Sequence, residues 1–252
     1  MKKKLSILIV IRNEAKQIED CIKSVLFADE IVIILDKSND KSEKICRRFT
    51  SKIYKGSWDL EGERRNFGIQ KCSFEWILEI DADERASKKL GKEIMLLIKN
   101  DHYSYYLIPV DNYIGKHLVK YGWGAYFGKS AYPGLFIKGS KHWGNQRVHP
   151  KLSFKGNKGK ILTNSITHFY CKDISDMFVK LDKYSTARSY DLLDSVEKET
   201  LLKNVRRVFS RFWKCFVLRK GFKDKYYGFL IGLIAGLYPL ISFLKLQLLM
   251  RK

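Results

Sequence analysis

Trp76-Ile-Leu-Glu-Ile-Asp-Ala-Asp-Glu84 decides the fold: a largely apolar run too short for a helix stops abruptly in acidic residues. In an open parallel sheet, ligands gather at the carboxyl ends of strands, where loops and helix N-termini converge. Two carboxylates separated by one small residue at such an end, here Asp81 and Asp83, can reach a hard divalent cation and a nucleotide ribose together. In an arbitrary sequence an Asp-x-Asp more often caps a turn or helix. The buried strand in front of it makes this one a candidate site.

Working outward, the same strand-then-polar-cluster pattern repeats. Leu5 to Ile11 reads as a strand ending in Arg12-Asn13-Glu14, and Ile31 to Leu35 as a second ending in Asp36 to Asp40. Between them Ile18, Ile22 and Val25 share one helical face. Ser42 to Phe49 reads as a short helix, Lys52 to Tyr54 as a short third strand, Gly62 to Lys71 as a helix and Tyr105 to Val110 as a further strand. Ser87 is placed to cap a helix running from Lys88 to about Lys99. The alternation predicts an α/β fold whose central, mostly parallel sheet is flanked by helices. After Asp111 glycines break the chain into short strands and loops, and a helical stripe of Ile174, Met177, Leu181 and Tyr184 follows. The expected organisation is a ligand-binding α/β half over 1–110, an acceptor-binding half over 111–195, and a basic, hydrophobic helical extension over 196–252.

The 252 residues are 45% hydrophobic and 30% charged, which suits a folded core and excludes a solvating tail. The formal charge is +21, so the chain meets anions: nucleic acid, acidic headgroups or phosphorylated substrates. Ten basic residues against two acidic ones between Lys198 and Lys225 concentrate part of that excess near the C-terminus. Five scattered cysteines without a Cys-x-x-Cys pair suggest neither zinc nor a disulfide framework and fit a reducing cytoplasm. The N-terminal apolar run is short and reads as a strand rather than a secretory signal. Tyr226 to Leu244 is a 19-residue uncharged run, long enough to cross a bilayer. Gly228, Gly232 and Gly236 would line one face of it, where a second helix, or a second copy of the chain, can approach. Two readings follow: a membrane-associated tail led in by a basic, aromatic interfacial segment, or a buried helix packed through its glycines.

A second element, Gly62-Glu63-Arg64-Arg65-Asn66, offers guanidinium groups at a helix start, where they can hold phosphate or simply face solvent. Neither a dinucleotide Gly-x-Gly-x-x-Gly nor a P-loop is present, and no serine nucleophile elbow. Leu5-Ser-Ile-Leu-Ile-Val-Ile-Arg-Asn-Glu14, Ala28-Asp-Glu-Ile-Val-Ile-Ile-Leu-Asp36, Gly62-Glu-Arg-Arg-Asn66 and Trp76 to Glu84, in that order, resemble family 2 glycosyltransferases. The likeness is greatest to the bacterial lipopolysaccharide core branch, which Arg147-Val148-His149, His168 and the basic aromatic tail also resemble.

The resemblance implies a GT-A fold that binds a nucleotide-diphosphate sugar with Mg2+ or Mn2+ and transfers the sugar with inversion to a lipid-linked glycan. It implies a station at the cytoplasmic face of the bacterial inner membrane, against anionic lipid. By position, Asn13, Glu14 and Asp36 would line the nucleotide pocket; Arg64, Arg65 and Asn66 would approach base or diphosphate, and Arg147 substrate. Asp81 would take the ribose and share the metal with Asp83, with His168 a second metal or diphosphate contact or else a structural histidine. The inverting base is left between His149 and Asp111, because Pro150 stands where many relatives carry a glutamate. A polyprenyl phosphate is the alternative acceptor. Nucleic-acid binding is the distant alternative, disfavoured because the carboxylate loops would repel it.

Overall fold

β1 (Leu5–Ile11) is buried at every position, as a strand covered on both faces of a sheet must be. Its side chains alternate: Leu5, Ile7, Ile9 and Ile11 join one apolar cluster, Leu8 and Val10 another. Burial of each such side chain contributes about 1.5–3 kcal/mol. The computed structural model describes residues 3–99, 102–123, 128–147, 150–195 and 199–251.

These residues divide into two units. Residues 3–99, 102–110, 131–146 and 150–168 form the first. After β1 come α1 (Ile18–Ser24), β2 (Glu30–Asp36), α2 (Ser42–Cys46), β3 (Ile53–Gly56), α3 (Glu61–Lys71), β4 (Trp76–Glu79), β5 (Glu84–Ala86) and α4 (Lys88–Leu97). The chain continues through β6 (Tyr105–Ile114), β7 (His117–Val119), β8 (Ala131–Ile137), β9 (Lys141–Trp143), β10 (Leu152–Phe154), β11 (Lys158–Ile161) and β12 (Ile166–Cys171). The main sheet runs β3-β2-β1-β4-β8-β6-β12-β5. Its first four strands are mutually parallel, and β8 enters antiparallel to β4. Parallel pairing of β2, β1 and β4 delivers three polar loops to one edge, because each strand ends in the same direction.

Local rules account for the helices. Ser87 accepts from the Leu90 amide at 3.1 Å and caps α4, as the sequence predicts. On the opposite face α3 lies close because Gly68 has no side chain: a Cβ there would sit 2.6 Å from Leu8 Cδ1.

The second unit contains residues 111–123, 128–130, Arg147, 169–195 and 199–251. It holds the later part of β6, β7, α5 (Ile174–Leu193), α6 (Leu201–Trp213) and α7 (Lys225–Leu249). Thus α5, α6 and α7 fall in one unit, across the 195/196 boundary expected from composition. β6 also runs further than Val110, because its alternation of buried and half-buried residues continues through Ile114. Asp111 therefore lies inside a strand, not at its end. α7 packs through its glycines: a Cβ on Gly228 would lie 1.8 Å from the Gly221 carbonyl, and one on Gly236 2.6 Å from that of Val208 in α6. The glycine stripe is filled by the chain itself, as the reading of a buried helix packed through its glycines expects.

A buried carboxylate ties the amino ends of the strands in the first unit together. Glu30, 8% exposed, accepts from the Ser6 hydroxyl, the Lys52 ammonium and, at 2.8 Å, the Ser73 amide. Burial alone would push its pKa up; the bonds from Lys52, Ser6 and Ser73 outweigh that and hold it at about 2, below its ordinary 4.5. A depressed carboxylate stabilises the fold above its unfolded pKa and loses that contribution as pH falls through the folded value. Glu30→Gln should therefore cost about 1–3 kcal/mol at pH 7. In urea titrations the gap between variant and parent should close as pH falls from 4.5 toward about 2.

Candidate functional site

The three loops predicted from sequence converge in the first unit. At the end of β1, Asn13 adopts a left-handed φ of 58°, a conformation asparagine tolerates better than most residues. Its side-chain carbonyl accepts from the Asn39 amide at 2.9 Å, and its own amide donates to Ser38 Oγ at 3.2 Å, so the loops after β1 and β2 are stitched together. Glu14 follows, its amide donating to Ser42 Oγ at 2.9 Å and its carboxylate accepting from Gln17 at 2.8 Å. Burial raises the Glu14 pKa above 4.5, and although Gln17 works against this, the charges of Asp83, Asp40 and Asp81 push it further up. Three further carboxylates thus lie within charge range of Glu14, Asp40 being tied down by the amides of Ala15 and Ser42.

Asp81 and Asp83 follow β4 in a tight turn, with the Glu84 amide donating to the Asp81 carbonyl and the Asp81 amide to the Glu84 carboxylate, both at 3.0 Å. The antiparallel register of β12 with β5 sets His168 opposite Glu84. That alignment brings His168 Nε2 within 3.4 Å of Asp83 Oδ2. His168 is 8% exposed, whereas the Asp83 side chain is 27% exposed and open to a ligand.

Beneath this turn lies a charge cluster. Arg65, on α3, donates to Glu61 at 2.8 Å, Glu79 at 2.6 Å and Asp81 at 2.9 Å, and its guanidinium sits 4.7 Å from the Trp143 ring centroid. Glu79 also accepts from the Lys141 ammonium at 2.7 Å and Trp143 Nε1 at 3.2 Å. Burial opposes both charges, yet Asp81, Glu61 and Glu79 keep Arg65 firmly protonated, and Lys141 with Arg65 keeps Glu79 ionised. Arg64 reaches the other way: it donates to Asp36 Oδ2 at 2.8 Å, while the Trp58 amide donates to Oδ1 at 3.0 Å. Asn66 exchanges bonds with the Trp143 backbone at 2.9 and 3.0 Å.

Asn13, Glu14, Asp36, Arg64, Arg65, Asn66, Asp81, Asp83 and His168 all belong to the first unit, where Arg64 bonds Asp36, Arg65 bonds Asp81, His168 meets Asp83, and Glu14 feels the charges of Asp81 and Asp83. Arg65 and Asn66 bond protein acceptors, supporting Asp81 and β9 respectively. Arg64 keeps one buried donor, Nε, without a partner among the described residues. Arg147 belongs to the second unit, where it pairs with Asp191 and Asp194 beside the end of α5. Asp111 is half-buried in β6, and His149 lies outside the described residues. Sequence reasoning missed Glu79, Lys141, Trp143 and Glu61, although a carboxylate inside the run Trp76 to Ile80 demands a buried cation.

Among the described residues no three His, Cys, Asp or Glu side chains converge as a metal cage. A magnesium-type cation does not need one, since one or two carboxylates plus substrate phosphates suffice. Asp83, with His168 behind it and the acidic crowd that raises Glu14 beside it, fits such an ion.

Residues 6–154 match the family model described as Glycosyl transferase family 2. An uncharacterized glycosyltransferase of Rickettsia bellii is 26% identical over 98% of this chain and 87% of its own length. The lipopolysaccharide core biosynthesis glycosyltransferase LpsC of Rhizobium meliloti is 26% identical over 79% of this chain and 75% of its own. Among solved structures, S. aureus TarS 1-349 in complex with UDP superposes with a TM-score of 0.49 at 14% identity, covering 88% of this chain and 75% of that one.

The buried cluster makes a stability prediction separable from the chemistry. Lys141→Met removes one of the two cations on a buried carboxylate and should cost about 3–5 kcal/mol in chemical denaturation. Asp83→Asn, at a part-exposed position, should stay within about 0.5 kcal/mol of the parent.

Proposed function

The chain belongs to glycosyl transferase family 2 and has a GT-A type α/β fold; from that premise we propose that it moves a sugar, with inversion, from a nucleotide-diphosphate donor to a lipid-linked glycan of the bacterial cell envelope. The observation that carries this reading is the pairing of Asp83 with His168, at 3.4 Å, beside an Asp81 held in place by Arg65. Mg2+ or Mn2+ bound at Asp83 would neutralise charge on the departing nucleotide diphosphate. Asp81, oriented by the Arg65 bond, is assigned to the ribose and to a share of the metal. His168 orients Asp83 from the rear or takes a diphosphate oxygen. The buried, unpartnered Nε of Arg64 beside Asp36 supports a ligand that brings an acceptor atom there, as a nucleotide base does. Asn13 and Glu14 are assigned to the same nucleotide.

Inversion needs a base at the acceptor hydroxyl, on the face away from the leaving group. His149 is assigned that role because a neutral imidazole accepts a proton near physiological pH, with Asp111 the second candidate and Arg147 a substrate contact. Similarity to LpsC supports an envelope acceptor. The five cysteines, all buried and none in a disulfide, fit the reducing side of the inner membrane.

A panel of UDP, GDP and CDP, each with and without Mn2+, should contain one pair that raises the melting temperature, by the equivalent of about 2.7 kcal/mol at a hundredfold excess over Kd. Asp83→Ala should keep the parent melting temperature without ligand and lose the Mn2+-dependent increment, together with Mn2+-dependent hydrolysis of the cognate nucleotide sugar. An Asp83→Ala protein that retains both would refute the assignment.

A further inference from the structure

The second unit leaves an apolar face uncovered. α6 and α7 pack against each other through the glycines of α7, Gly232 meeting Phe212 and Gly236 meeting Val208. Asn204 and Cys215 are buried on this side. Leu202, Phe209 and Trp213 point elsewhere, 80%, 72% and 58% exposed, and their spacing puts them on one stripe of the helix. The stripe does not stop at the end of α6. A π-helical turn over Lys214–Leu218 and a 3-10 turn over Gly221–Asp224 continue the chain, leaving Leu218 66% and Phe222 51% exposed. Phe229 of α7, 49% exposed, adjoins this surface through edge contacts with Phe212 and Phe216, at centroid distances of 5.5 and 6.0 Å. Large aromatic and aliphatic side chains left in water together mark an interaction surface rather than a monomer's ordinary exterior.

Charge selects the partner. Arg206, Lys214, Lys220 and Lys225 are exposed beside these side chains, and none has a carboxylate partner among the described residues. Two copies meeting through this face would bring those cations together. A nucleic acid would satisfy the cations and leave the leucine and phenylalanine wet. An anionic bilayer satisfies both groups, with apolar side chains entering the acyl boundary and each nearby Lys or Arg attracted to the headgroups.

We infer that the second unit docks on anionic lipid in the plane of the membrane, through the α6 stripe and the turn that follows it, with α7 remaining a packed helix behind. Residues Gly221–Leu249 are long and apolar enough to span a membrane. Their glycines, however, are closed against α6 and Gly221, and Ser242 and Tyr238 are buried within the unit. The inference deepens the lipid-linked acceptor reading and rests on it only for its biological purpose; the surface stands on its own geometry.

The test is co-sedimentation of the full-length chain with phosphatidylglycerol-containing and pure phosphatidylcholine vesicles. Binding should require the anionic lipid, fall in 1 M NaCl, and weaken about tenfold or more in Phe209→Glu/Trp213→Glu. Arg206→Glu/Lys214→Glu should weaken it as well. Three results would overturn the inference: undiminished binding by the Phe209/Trp213 variant, equal binding to both lipids, or a pellet that resists both salt and alkaline carbonate and yields only to detergent, as a spanning helix would. A concentration-dependent dimer in lipid-free sedimentation that the Phe209/Trp213 variant abolishes would equally assign the face to a second copy and overturn it. Nucleotide-dependent thermal shift, measured without vesicles, should be unchanged in these variants, so failure of docking and failure of the donor assignment read out separately.

Discussion

Arg65 is the constraint from which the candidate site is built. One guanidinium, 9% exposed, joins the start of α3 to the end of β4 by taking Glu61, Glu79 and Asp81 together. Three carboxylates around one cation would be unstable out of water; Lys141 supplies the second cation and the Trp143 indole covers the Arg65 face. A buried ionic cluster of this kind contributes little net stability against an apolar equivalent. Its effect is positional: with the helix, strand and β9 hairpin all fixed to the same group, the Asp81 carboxylate has one orientation. A lysine at position 65 would keep the charge and lose the geometry, since only the planar fork addresses three acceptors at once.

From that fixed point the rest of the site follows by register. β1, β2 and β4 are parallel, so their polar ends share an edge, and the β12 pairing with β5 carries His168 to Asp83 from far along the chain. The result is an acidic concentration in a chain of net charge +21. Glu14 registers that crowding as a raised pKa, burial first and its acidic neighbours after it. An acidic concentration of this kind repels an approaching diphosphate unless a cation comes with it.

How much was legible before the structure depended on whether the determining contacts were local. The β-branched runs of β1 and β2, the α4 cap at Ser87 and the acidic turn after β4 are written in adjacent residues, and each appeared where the sequence put it. The glycines that follow Asp111 predict an end to this strand at Val110; the structure continues it as β6 by burying Asn112, whose amide donates to the Lys129 carbonyl at 2.8 Å. Glu79 went unremarked because a charged residue in an apolar strand acquires meaning only with its partners, and Lys141 is 62 positions away. His168 was a candidate by family likeness alone, since no spacing rule brings it to Asp83. The roles assigned to Arg64 and Arg65 differ in the structure for a similar reason: identical side chains one residue apart on a helix face different elements, one toward Asp36 and one toward Asp81.

The C-terminal helix shows why hydropathy alone does not separate a membrane span from a core helix. Both demand a long uncharged run, and both tolerate small residues every fourth position. What distinguishes them is where the small residues are used. In a spanning dimer the glycine stripe would be the open face, and the bulky residues would meet lipid on all other sides. Here the stripe is closed by the chain's own Phe212, Val208 and Gly221. The uncovered apolar groups include those of α6, a helix too charged to cross a bilayer and too apolar on one side to rest in water. Lys245 strengthens the case: toward the end of α7 its ammonium bonds the carbonyl and carboxylate of Asp182 and the hydroxyl of Thr186, at 2.7–2.9 Å, anchoring α7 to α5 by polar contacts that hydrocarbon would not replace.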